Sequence, residues 1–102
     1  VPSGKDHLES DIQHRLIDRA RTRGCYVRKI VSIAYRGMPD LLLARGGCVL
    51  LWEVKRRGGT ATKLQQLEHN ALRRAGANVV MTFGLDDAFR ELDNWFAENP
   101  ET

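Results

Sequence analysis

Leu8, Ile12, Leu16, Ile17 and Ala20 recur three and four residues apart, the spacing of one helical face, and Gly24 supplies a stop. This predicts a helix over about 6–23. From Cys25 to Ile33 the chain turns to β-branched and aromatic residues and reads as a strand. Leu41–Ala44 reads as a short strand, Arg45–Gly47 as a turn and Cys48–Lys55 as a second strand, so the two should form a hairpin. After a loop at Arg56–Gly59, Thr62-Lys63-Leu64-Gln65 has the form of a capping box. The helix it opens carries Leu64, Leu67, Ala71, Leu72 and Ala75 on one face and stops at Gly76. Asn78–Phe83 reads as a strand. A last helix follows from about Asp86, with Leu85, Ala88, Phe89, Leu92, Trp95 and Phe96 as its apolar stripe.

The predicted order is αβββαβα. A strand, a helix and a strand in succession, from Cys48 to Phe83, should make a right-handed crossover with parallel strands. The expected fold class is therefore α/β, a small sandwich around a mixed sheet. With 102 residues, one domain over 6–98 is expected, with flexible termini at 1–5 and 99–102.

Composition narrows the class. Charged residues make up 28% and apolar ones 42%, which suits a globular chain rather than a disordered one. No apolar run approaches the ~20 residues of a membrane span, and no signal peptide opens the chain, so no membrane partner is expected. Cys25 and Cys48 stand in apolar, strand-like contexts without metal-ligand spacing and read as buried thiols. A reducing, cytoplasmic setting, in a bacterial or phage-infected cell, is the corresponding expectation.

The net charge is only +3, but it is unevenly spread. Arg15 to Arg36 holds seven basic residues and one acid, and Gly84 to Thr102 holds six acids and one base. That segregation suggests a face that attracts a polyanion, or simply solvated helix faces.

Candidate chemistry lies in Gly37-Met38-Pro39-Asp40 and in Glu53-Val54-Lys55, with twelve residues between Asp40 and Glu53. Strand alternation puts Val49, Leu51, Glu53 and Lys55 on one side, with Glu53 and Lys55 roughly 6.6 Å apart along the strand. Pro39 keeps its neighbour extended. If the two strands pair, Asp40 comes beside Glu53. Two carboxylates can hold a hard divalent cation, and a neighbouring Lys can poise a water beside it, the parts needed to hydrolyse a phosphodiester.

Glu9 sits near the middle of the first helix's apolar face, with Ile12, Leu16 and Ala20 at about −60°, −20° and +20° from it. It is either a third acidic group near the cation, or a carboxylate that snorkels to water or serves as a favourable charge at the helix N-terminus. Gln65 is either a site residue or only the third member of the capping box. Arg36, Arg56, Arg57 and Lys63 flank the motifs and could hold backbone phosphates. His7, His14 and His69 share no metal-ligand spacing and read as surface or helix-face residues. Neither a P-loop nor a dinucleotide fingerprint occurs, so no nucleotide cofactor is expected.

The ordered set Glu9, Gly37-x-Pro39-Asp40, Glu53-x-Lys55 and Gln65, followed by Leu72 and Gly76, resembles the VRR-NUC family of the PD-(D/E)xK restriction-endonuclease-like nucleases. The resemblance spans about residues 8–83, and Met38 stands where the family often has Val. It implies a restriction-endonuclease-like αβββαβ core, here with a C-terminal helix added, and magnesium-dependent DNA cleavage in which manganese can substitute. By position, Asp40, Glu53 and the Val54 carbonyl would bind metal, and Glu9 would complete the acidic cluster. Lys55 would orient the attacking water, and Gln65 would support Lys55 or a site water. The chain is most similar to the standalone virus-type members, which implies a homodimer acting on branched DNA, a Holliday junction resolvase. A nuclease for flaps, other structures or single strands, and a catalytically silent DNA-binding module, stand as alternatives.

Overall fold

A computed structural model describes residues 7–100. The elements are α1 (Glu9–Thr22), β1 (Tyr26–Lys29), β2 (Leu41–Arg45), β3 (Cys48–Lys55), α2 (Lys63–Arg74), β4 (Val79–Phe83) and α3 (Leu85–Glu98). The four strands lie in the order β1-β2-β3-β4, antiparallel except for the parallel β3–β4 pair. The order αβββαβα and the mixed sheet agree with the hydrophobic pattern. Of the flexible termini expected at 1–5 and 99–102, residues 1–5 and 101–102 lie outside the described residues, and the Asn99 carbonyl accepts from Arg45 Nε at 2.9 Å. Among the described residues no helix is long and apolar enough to cross a membrane.

Alternation along β3 sends Leu50, Trp52 and Val54 to one face of the sheet. There they meet Leu41, Leu43 and Val27 from the neighbouring strands and the apolar faces of α1 and α3, led by Ile12, Leu16, Leu92 and Phe96. Trp52 is fully buried and its indole N–H donates to Thr82 Oγ1 at 2.8 Å, so the core satisfies its polar atom.

β1 is shorter than the predicted Cys25–Ile33 strand. Its partner runs out: Lys29 pairs with Leu41, and the last rung is Ile30 N to the Asp40 carbonyl at 2.8 Å. Pro39 follows, with no N–H to continue a ladder. Val31, Ile33 and Tyr35 therefore sit in an exposed loop, Ile33 at 97%. Cys25 is buried as expected, whereas Cys48 is only half-buried; both are free thiols.

The α2 helix is turned away from the face its leucines predict. Leu64 and Leu67 are 51% and 54% exposed, and Ala71 and Ala75 are exposed too. Toward the sheet point Gln65, His69 and Leu72, a stripe about 130° around the helix from the leucines. A polar stripe faces inward because the sheet surface beneath it carries Glu53 and Lys55.

Candidate active site

The hairpin places the two acids. Leu41 pairs with Trp52, so Asp40 stands one position beyond the ladder, opposite Glu53, and its amide donates to the Trp52 carbonyl at 3.0 Å. Asp40 Oδ2 accepts from the Val54 amide at 2.9 Å, which fixes its carboxylate against the β3 backbone. Gly37 lets the approach to this strand run close beneath α2. Its φ is +88°, and a Cβ there would lie 2.5 Å from the Leu64 carbonyl oxygen, so both backbone and space require glycine.

Glu53 is 2% exposed and sits at the centre of the cluster. Its Oε2 accepts from Gln65 Nε2 at 3.2 Å and lies 3.8 Å from Lys55 Nζ. Its Oε1 is buried without a hydrogen-bond partner. Burial raises the carboxyl pKa to about 8; the adjoining Asp40 adds to the rise, Lys55 opposes it, and Glu9 adds a little more. Without a cation this acid is largely protonated at neutral pH.

Gln65 completes the helix cap, and its free end reaches Glu53 rather than Lys55. Its side-chain oxygen accepts from the Thr62 amide at 2.9 Å and its own amide donates to Thr62 Oγ1 at 3.1 Å, completing the capping box, while the Nε2 end reaches Glu53. Glu9 is exposed at the first position of α1, close enough for its charge to act on Glu53. Among the described residues no three His, Cys, Asp or Glu side chains converge closely enough to hold a metal together. The acidic donors are thus the Asp40–Glu53 pair, with Glu9 outside it.

That pair fits a magnesium-type cation, which is usually held by one or two carboxylates and completes its shell with waters and substrate phosphates. Two acids pressed together, one of them with an unpartnered buried oxygen, are the arrangement that a cation relieves. Arg36, Arg56, Arg57 and Lys63 are all exposed. Along the chain they adjoin the site residues, just before Gly37, just after Lys55 and at the start of α2, and Arg57 packs against Gly84.

One residue escaped the sequence reading. His69 is 1% exposed rather than on the surface, and its Nε2 lies 3.7 Å from Glu53 Oε1. The available signal was its spacing, four residues after Gln65 and so on the same helical face.

No protein-family model and no curated protein matches the sequence. Solved structures do. A "VRR_NUC domain protein" superposes with a TM-score of 0.76 at 20% identity, covering 91% of this chain and 91% of that one. A "VRR_NUC domain" structure superposes with a TM-score of 0.71 at 26% identity, covering 85% of this chain and 96% of that one. The fold is shared with these proteins, and the likeness supports a VRR-NUC domain, the family that the ordered motifs resemble.

Proposed function

We propose that this chain, a VRR-NUC domain by fold, is a divalent-metal-dependent endonuclease that hydrolyses phosphodiester bonds in DNA. The observation that most supports the reading is the cross-strand carboxylate pair, Asp40 and Glu53, with Lys55 Nζ 3.8 Å from Glu53. Asp40 and Glu53, with the Val54 carbonyl, would hold magnesium or manganese. A bound ion supplies neutralising charge to a phosphate and makes a water more acidic.

The rest falls to the chain's own groups. Lys55, buried at the end of β3, orients the attacking water and offsets charge that builds on the phosphorane-like transition state. Gln65 fixes the Glu53 carboxylate from α2. Glu9 adds negative potential at the edge of the site, and Arg36, Arg56, Arg57 and Lys63 bind backbone phosphates without reading sequence.

The finer reading is a homodimeric resolvase for branched DNA, Holliday junctions foremost. Two symmetric cuts call for two sites related by a two-fold axis, and the exposed leucine face of α2 is surface that a second copy would cover.

Two assays separate these levels. Asp40→Ala and Lys55→Ala should each abolish cleavage while DNA binding largely survives; undiminished cutting by Asp40→Ala overturns the nuclease. Cleavage of four-way junction, flap, duplex and single-stranded DNA, side by side with magnesium or manganese, should favour the junction. Equal cutting of all four removes the resolvase and leaves the nuclease. A DNA-binding module without activity would show no manganese uptake by calorimetry, with or without DNA.

A further inference from the structure

Glu53 has its two oxygens treated differently. Oε2 has Gln65 and Lys55 as partners, but Oε1 is buried without any. Facing Oε1 at 3.7 Å is His69 Nε2, on a ring that is itself buried with neither nitrogen hydrogen-bonded. A buried polar atom without a partner is destabilising, and here two such atoms face each other. Moving them about 0.8 Å closer makes an ordinary N–H···O bond. The ring is well placed for this, because His69 stands one helical turn after Gln65, whose side chain already touches the other oxygen.

We infer that His69 is a positioning residue for the proposed reaction: its Nε2–H holds Glu53 Oε1 and so orients the carboxylate toward the metal and toward Asp40. Gln65 and His69, four residues apart on α2, then grip the two oxygens of one carboxylate. His69 acts on Glu53 and not on the metal, since no third side chain joins Asp40 and Glu53 as a ligand among the described residues. Groups that hold a ligating side chain in this manner usually contribute roughly 10–100-fold to metal affinity.

This inference rests on the metal-dependent reading above, and the test keeps the two apart. Manganese and magnesium titrations by calorimetry on the full chain should give roughly 10–100-fold weaker binding for His69→Ala. His69→Gln, whose amide nitrogen reaches the place of Nε2, should recover most of the loss. His69→Asn, whose nitrogen reaches only the place of Nδ1, should not. The KM for DNA at saturating metal should stay within about twofold, which a general loosening of α2 would not leave intact.

Metal affinity unchanged in His69→Ala, or equal rescue by Asn and Gln, overturns the role of His69 and leaves the nuclease standing. No metal uptake by the unmodified chain overturns both. Should the variants fail to fold, long-range 1H–15N spectra of the unmodified protein with magnesium decide the matter: a proton on Nε2 of His69 supports the inference, and a bare Nε2 overturns it.

Discussion

Burial and the adjoining Asp40 hold Glu53 at a pKa of about 8, against 4.5 for an ordinary Glu. Between those values the folded, metal-free protein binds more protons than the unfolded chain, so stability falls as pH rises through that window. The contribution is fully present below 4.5 and is gone once pH has passed 8. Glu53→Gln keeps the shape and removes the ionisation. Its metal-free melting temperature at pH 8.5 should exceed that of the unmodified protein by several degrees, with the gap closing by pH 4. A gap that does not change with pH would show that Glu53 ionises normally. The same displaced proton makes metal binding pH-dependent, because a ligating carboxylate must be ionised. Half-saturating magnesium should therefore fall as pH is raised from 6 toward 8, with proton release measurable in weakly buffered calorimetry.

Three elements bring these groups together: the β2–β3 hairpin, the loop ahead of Asp40, and α2. The loop and α2 meet at Gly37, where an added methyl has nowhere to go. Gly37→Ala should cost roughly 1–3 kcal/mol in urea denaturation and should lower cleavage more than DNA binding, since the displaced strand carries Asp40. The hairpin was legible from the chain because two short apolar runs flank a Gly-Gly turn, and the turn's length sets the register that pairs Leu41 with Trp52. Asp40 and Glu53 came with it. The capping box was also legible, being local. The facing of α2 was not. Its leucines form the more apolar stripe, yet what docks on the sheet is Gln65 and His69, selected by polar partners on another element. The length of β1 was hidden for a similar reason: Val31 and Ile33 have strand propensity, but Pro39 ends the partner strand.

Across the whole molecule, the basic segment and the acidic one are tied together at Asp93. Arg19 on α1 and Arg23 just after it clasp Asp93 on α3 at 2.9 and 2.8 Å, and their guanidinium groups lie over Phe89 and Phe96. The basic run thus serves partly to join two helices, while Arg36, Arg56 and Lys63 adjoin the site residues along the chain. Meanwhile exposed apolar side chains include Leu64 and Leu67 on α2 and Val31, Ile33 and Tyr35 in the loop between β1 and β2. If a second copy covers this surface, Leu67→Asp should shift the mass measured by light scattering from dimer to monomer and leave the fold intact by circular dichroism. An unchanged mass would move the interface elsewhere.

The strand connectivity has a consequence for how the molecule comes to be built. Asp40 and Glu53 are joined through one tight turn, whereas β4 reaches β3 only after α2 has crossed over. Short closures form faster than long ones. In refolding, the two acids should meet early, on a hairpin still open to water that hydrates both charges. Only when the crossover shuts does that water leave and the α2 amide and imidazole take its place, so the slow phase of refolding is expected to coincide with the drying of the site.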